Sequence, residues 1–136
     1  MLIASATFFL VAEHHLRGKK LADAKARMAS RGWRALATPA RAKNTGTSGG
    51  TAVIPRRHLH MGERGQCTRR VFHGPAWTAC LWQLKGCEVL ILVVYLESAP
   101  QQPTALNIQW LRQMAEFIIF MGGCPLWPLV IGTCIP

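Results

Sequence analysis

The stretch Glu88–Tyr95, with the sequence EVLILVVY, decides the fold of this chain. Its six central residues are all apolar, and four of them are β-branched, which favours a strand. Because no polar residue alternates with the apolar ones, the pattern predicts a strand that is covered on both faces. We therefore expect this strand to lie inside a sheet, with a layer of structure on each side.

The residues on either side of this strand predict its neighbours. Arg69–His73 and Trp77–Leu84 are expected to form a hairpin across the Gly74-Pro75 turn. Thr104–Met121 repeats apolar residues at helical spacing and predicts a helix. A last apolar run, Leu126–Gly132, predicts a further buried strand.

The N-terminal half predicts a second group of elements. A helix is expected over Lys19–Arg31, where Leu21, Ala24 and Met28 share one face and Gly32 provides a stop. The remaining predictions are a buried strand at Ala6–Ala12, an edge strand at Trp33–Thr38, a flexible basic loop at Pro39–Gly50 and a strand at Gly50–Pro55. Together these elements predict an α+β fold, in the form of an α/β sandwich.

The charge of the 136-residue chain is distributed unevenly. Residues 1–75 contain 14 basic and 3 acidic side chains, a balance of +11, whereas residues 76–136 contain 2 and 3, a balance of −1. This asymmetry excludes a nucleic-acid coat protein that is basic along its whole length. The apolar second half also excludes a chain that is disordered because of its charge. Asp occurs once, at Asp23, so the composition argues against a self-sufficient metal-dependent hydrolase.

Cysteine usage and hydropathy bear on the location of the protein. The five cysteines are odd in number and lack C-x-x-C or zinc-ligand spacing, which favours free thiols inside the cell, in the nucleus or cytoplasm. The residues Arg17–Lys43 resemble a transit peptide and leave organelle import as an alternative. The uncharged stretch Phe117–Pro136 is as long as a membrane span, but its prolines and its Gly-Gly pair argue against one.

Several short motifs occur in a recognisable order. They are Glu13-His14-His15-Leu16 after a strand, Gly32-Trp33, Gly49–Ile54, Val94-Tyr95, and the strand Pro128–Gly132 followed by Thr133. In this order they resemble the endonuclease/exonuclease/phosphatase (DNase I-like) superfamily, and especially the endonucleases of LINE-type retrotransposons. The resemblance covers the N-terminal half of the family's two-sheet sandwich without its first strand. Residues 1–136 are thus expected to form one partial domain.

The resemblance implies a Mg²⁺-dependent phosphodiesterase site. Glu13 would be the carboxylate that ligates the metal, and Tyr95 would donate a hydrogen bond to the scissile phosphate. Thr133 and Ile135 stand where the family has the Asp and Asn of its G-D-x-N motif. Because Mg²⁺ prefers several oxygen ligands, and because loss of a general base typically removes about 10²–10⁴-fold of rate, we expect weak Mg²⁺ binding and no catalysis.

The same residues also have simpler interpretations. Without the family context, Glu13 is a solvated carboxylate or an anion at the helix start beside Lys19 and Lys20. Tyr95 is a half-buried residue at a strand end with its hydroxyl in water. The histidines lack acidic or cysteine partners at ligand spacing, so they are expected on the surface: His14, His15, His58 and His60.

The basic first half of the chain also suggests a function of its own, the binding of nucleic acid. Clustered positive charge binds nucleic-acid phosphates without sequence specificity and in a salt-dependent way, and Trp33 could add stacking. The residues expected to contact DNA or RNA are Arg17, Lys19, Lys20, Arg56, Arg57, Arg69 and Arg70. The alternatives to a degenerate endonuclease are a small non-catalytic nucleic-acid-binding protein and an imported or membrane-associated protein. An incomplete sheet would also expose apolar surface, which predicts self-association.

Overall fold

A computed structural model of the protein describes residues 8–59, 71–84, 87–97, 105–121 and 130–134. Within these ranges the chain forms nine strands and two helices, which confirms the α+β class. Their order is β1 (Phe8–Ala12), α1 (Gly18–Ser30), β2 (Leu36–Thr38), β3 (Arg41–Lys43), β4 (Gly46–Ser48), β5 (Thr51–Pro55), β6 (Val71–Gly74), β7 (Trp77–Leu84), β8 (Cys87–Tyr95), α2 (Ala105–Met121) and β9 (Val130–Cys134). The particular two-sheet sandwich of the resemblance stays a prediction.

The strand β8 lies inside a four-stranded sheet of order β6-β7-β8-β9. It pairs antiparallel with all of β7, from Trp77 opposite Val94 to Leu84 opposite Cys87. On its other side it pairs parallel with β9, which follows β8 in the chain after α2, as parallel strands require a crossover connection. The predicted hairpin and the central position of β8 are both confirmed.

A second sheet has the order β1-β5-β2, and both of its pairs are antiparallel. The strand β2 lies at the edge, as predicted, but it is shorter than the predicted Trp33–Thr38. Trp33 forms only an isolated bridge with Arg56.

Two sequence predictions need correction or restriction. Pro39–Gly50 is not a loop, because β3 and β4 pair across Asn44-Thr45, with Lys43 opposite Gly46. The last strand is observed at Val130–Cys134, later than Leu126–Gly132, and residues 126–129 lie outside the described ranges. In the described part of the chain, no helix combines the length and the apolar character needed to cross a membrane.

Both faces of β8 are covered by apolar side chains, as its sequence predicts. One face, with Leu90, Leu92 and Val94, packs with Trp77 against Met114, Phe117 and Ile118 of α2. The other face, with Val89, Ile91 and Val93, packs against Val53 of β5 and Phe8 and Leu10 of β1. The buried strand therefore joins α2 and the sheet β1-β5-β2 into one packed structure.

The helix α1 is attached less tightly than α2. None of its side chains is fully buried, and Met28 on its predicted apolar face is 37% exposed. Leu21 contacts the cluster formed by Ala37, Ala52 and Ile54 of the three-stranded sheet. The helix ends before Gly32, as predicted, where the Gly32 N–H donates to the Ala29 carbonyl at 3.2 Å.

Candidate functional site

The candidate site lies at the edge of the structure where β1 and β8 end and β5 begins. Glu13 follows β1, and Gly49 and Gly50 precede β5, whose Thr51 pairs with Ala12. Tyr95 is the last residue of β8. Because β1 and β5 are antiparallel and β8 packs across them, residues distant in sequence meet at this edge.

The central contact of the site joins Glu13 to Tyr95. The Tyr95 hydroxyl donates a hydrogen bond to Glu13 Oε1 at 3.1 Å, although the two residues are 82 positions apart. Tyr95 is only 7% exposed and is therefore buried, whereas the simpler interpretation expects a half-buried residue. The Glu13 carboxylate is partly buried and accepts its hydrogen bond from Tyr95. The simpler interpretation instead expects a fully solvated carboxylate or one beside Lys19 and Lys20. The two residues singled out by the resemblance therefore lie in contact.

The backbone at this edge adopts an uncommon conformation. Glu13 and His15 have φ values of +63° and +59°, in the left-handed region that non-glycine residues rarely occupy. Two hydrogen bonds hold this segment, from the His14 N–H to the Gly50 carbonyl at 3.2 Å and from the His15 N–H to the Gly49 carbonyl at 3.0 Å. Such conformations cost about 1–3 kcal/mol each and cluster at functional sites, which makes this edge a candidate.

His15 is the third polar side chain at the site. Its Nε2 lies 3.4 Å from Glu13 Oε1, and its Nδ1 lies 3.0 Å from the Thr47 carbonyl, which can only accept. A neutral ring that donates from Nδ1 has no proton on Nε2. The contact with Glu13 is therefore an ion pair only when both ring nitrogens are protonated.

His14 has a structural role, contrary to the prediction that it lies free on the surface. Its Nδ1 accepts a hydrogen bond from the Leu16 N–H at 2.9 Å, and its Nε2 donates to the Thr38 carbonyl at 3.0 Å. Both nitrogens are thus used in the neutral ring, and burial lowers its pKa. His15 and His58 are exposed as predicted, and His60 lies outside the described residues.

A buried hydroxyl network continues from this edge into the structure. Thr38 Oγ1 lies 2.9 Å from Thr78 Oγ1 and donates to the Trp77 carbonyl at 3.0 Å. Thr78 Oγ1 in turn lies 2.9 Å from Thr51 Oγ1. His73 joins the network because its Nδ1 lies 3.1 Å from Thr38 Oγ1. The network links β2 and β5 to β7 through polar contacts.

We expect the stability of the protein to fall as the pH is lowered through 6.5. Burial lowers the pKa of both His14 and His73, and the positive charge of Lys25 lowers that of His73 further. A group whose pKa is depressed by folding stabilises the folded state above its unfolded value of 6.5. This contribution is lost as acid protonates the ring. Urea unfolding at pH 7.5 and at about pH 5 measures the effect.

The double substitution His14→Asn and His73→Asn provides the control for this pH dependence. It should lower stability at neutral pH because it removes hydrogen bonds, and it should flatten the change between the two pH values. A wild-type midpoint that stays constant or rises on acidification would contradict the prediction.

A second carboxylate near this edge is already neutralised. Glu97 lies two residues after Tyr95, and its Oε1 accepts a hydrogen bond from Arg41 Nη2 and lies 3.5 Å from Lys43 Nζ. The Asn107 side chain binds both backbone groups of Glu97, at 3.0 and 2.7 Å. Arg41 and Lys43 belong to the β3–β4 hairpin, and the sequence predictions missed them because this segment was interpreted as a flexible loop.

The predicted nucleic-acid-binding residues that the structure describes lie near two opposite ends of α1. Arg17, Lys19 and Lys20 lie at the N-terminal end of α1, four to seven positions after Glu13. Arg57 contacts Gly32 beyond the opposite end of this 13-residue helix, which is about 20 Å long.

Trp33 is also less available for base stacking than predicted. The Arg56 guanidinium lies 4.2 Å from the centroid of the Trp33 ring, and Phe9 contacts the same ring.

Arg69, Arg70 and Ile135 lie outside the described residues. The backbone of Thr133 is described, and it pairs with Val94 next to Tyr95.

The donors that the structure describes at this edge do not by themselves form a Mg²⁺ site. Within the described ranges, no group of three or more His, Cys, Asp or Glu side chains could hold a metal ion. Glu13 is accompanied by an imidazole and a phenol, whereas Mg²⁺ requires a near-octahedral set of oxygen ligands. Cys80 is not a nucleophile for this site, because burial raises its pKa to about 12.

Comparison of the chain with models of protein families, with curated proteins and with solved structures gave no match.

Proposed function

We propose that the chain is a non-catalytic, nuclease-like domain of the endonuclease/exonuclease/phosphatase type that binds nucleic-acid phosphates through basic residues beside the Glu13–Tyr95 edge. The observation that carries this proposal is the hydrogen bond between Tyr95 and Glu13. These are the two residues that the family resemblance implies as phosphate donor and metal ligand. Their contact across 82 positions supports a common site.

The local chemistry supports binding without cleavage. A tyrosine hydroxyl has one proton to donate, and Tyr95 donates it to Glu13, so it does not also donate to a phosphate in this arrangement. Glu97 is engaged by Arg41 and Lys43 and does not serve as a free second carboxylate. The residues in the family's G-D-x-N positions are Thr133 and Ile135, neither of which acts as a base near neutral pH.

The distribution of positive charge favours one end of α1 for phosphate binding. Arg17, Lys19 and Lys20 are exposed close in sequence to Glu13, and Lys43 is half exposed on the neighbouring hairpin. Arg56 and Arg57 lie beyond the opposite end of the helix. We therefore assign the binding surface to the N-terminal end of α1 together with the β3–β4 hairpin.

One experiment with two readouts tests this function. The purified chain is incubated with supercoiled plasmid and Mg²⁺ beside the Glu13→Ala variant, and its affinity for labelled DNA is measured by fluorescence anisotropy. We expect no nicking above the Glu13→Ala level. We expect Lys19→Gln with Lys20→Gln to weaken DNA binding about tenfold and to reduce the salt slope by about 2.

A matched variant distinguishes this surface from general positive charge. Arg27→Gln with Arg31→Gln removes the same two charges from the other end of the helix region, and it should change affinity by less than about threefold. Equal losses in the two double variants would overturn the assigned surface. Nicking by the wild type that Glu13→Ala abolishes would overturn the non-catalytic assignment. Absence of DNA binding would overturn the function as a whole.

A further inference from the structure

The helix α2 carries apolar residues on two sides. Its buried side, with Met114, Phe117 and Ile118, packs on β8 and its neighbours. Outside this packed side, Ile108, Leu111 and Ile119 are 43%, 41% and 78% exposed. At about 100° per residue these positions fall along one side of the helix, with the exposed Ala115 between them. We call Ile108, Leu111, Ala115 and Ile119 the α2 stripe.

Two opposite charges flank the α2 stripe on the same side. Arg112 and Glu116 are both exposed and are separated by one helical turn. Their midpoint is residue 114, and the midpoint of Ile108 and Ile119 is also close to this position. The outer residues of the stripe, Ile108 and Ile119, and the two charges are therefore centred on nearly the same point of the helix. This arrangement is what a two-fold axis requires of a surface that binds its own copy.

We propose that the α2 stripe is the interface of a symmetric homodimer in which two α2 helices pack antiparallel. About a two-fold axis near residue 114, Ile108 of one copy meets Ile119 of the second copy. Arg112 of each copy then meets Glu116 of the other, which gives two ion pairs. In a parallel arrangement the two-fold axis would run along the helices and place the charged sides of the two copies on opposite flanks of the interface. Arg112 and Glu116 would then form no ion pairs between copies, so the charges favour the antiparallel arrangement.

The expected dimer is weak and reversible. Stable interfaces bury about 800 Å² on each partner, and a single helix stripe supplies less than that. The net charge of +10 on each copy also opposes association. The apolar stripe provides the attraction, and the two ion pairs set the orientation.

Sedimentation velocity over about a hundredfold range of protein concentration tests the dimer at physiological salt. The wild type should shift from monomer to dimer as its concentration rises. Ile119→Lys should remain monomeric while keeping its circular dichroism spectrum, because Ile119 is 78% exposed and its replacement leaves the fold intact. Gln113→Lys adds the same charge to the polar side of α2 and should dimerise nearly as the wild type does.

Charge reversal tests the antiparallel geometry separately. Arg112→Glu and Glu116→Arg should each weaken dimerisation about tenfold, because each places two like-charged pairs at the interface. The double variant Arg112→Glu with Glu116→Arg should restore the wild-type affinity. A wild type that is monomeric throughout, or an Ile119→Lys variant that associates normally, would overturn the proposal. A double reversal that fails to restore dimerisation would overturn the geometry.

Discussion

Leu92→Ala is expected to lower the free energy of unfolding by about 2–5 kcal/mol. Leu92 is fully buried on the face of β8 that packs against α2, together with Leu90 and Trp77. Truncation removes its apolar contacts and leaves a cavity, because β8 is held between β7 and β9 and cannot move freely to fill it. For a small domain with about 5–15 kcal/mol of total stability, such a loss is a large fraction.

Urea unfolding followed by circular dichroism measures this effect, and Leu106→Ala is the matched control. Leu106 lies on α2 and is 40% exposed, so the same truncation should cost less than about 1 kcal/mol there. Equal losses at the two positions would mean that α2 does not cover this face of β8.

The sequence predicted β8 well because its pattern leaves few alternatives. A strand made of a continuous run of β-branched and other apolar residues buries all of its side chains only where both of its faces are covered. The structure supplies α2 on one face and the sheet β1-β5-β2 on the other. The helix α2 was predicted for a similar reason, because its apolar spacing is helical over the whole element.

The hairpin β3–β4 was missed because its stability does not come from an apolar pattern. Its strands, Arg41–Lys43 and Gly46–Ser48, contain no large apolar residue. Contacts with distant residues hold it instead: Thr47 binds His15, and Arg41 binds Glu97. Such tertiary contacts leave no periodic signal in the local sequence.

The candidate site was only partly accessible from the sequence. Glu13 and Tyr95 were singled out through the resemblance, and nothing in their local sequences indicates that their side chains meet. The role of His14 was also missed, because its burial depends on Thr38 and on the space beside Gly50. The basic residues were grouped by their proximity in sequence, whereas a helix about 20 Å long separates Lys19 from Arg57 in the structure.

Gly50→Ala is expected to destabilise the protein by about 2–6 kcal/mol and to disrupt the site. Gly50 has a φ of +88°, which costs a residue with a side chain about 1–3 kcal/mol. A methyl group at this position would also lie 2.7 and 2.8 Å from the two ring nitrogens of His14. The ring cannot move away without losing its hydrogen bonds to Thr38 and Leu16, so overpacking adds a further cost of about 1–3 kcal/mol.

Gly32→Ala separates these two costs. Gly32 has a similar φ of +81° but nothing within 4 Å of the added methyl group, so its substitution should cost only the backbone strain. The difference between the variants in urea unfolding therefore reports the contact with His14. Displacement of His14 should also return its pKa toward the ordinary value of 6.5, which NMR titration of the ring measures directly. Equal destabilisation by Gly50→Ala and Gly32→Ala, with an unchanged His14 titration, would show that Gly50 does not hold His14 in the site.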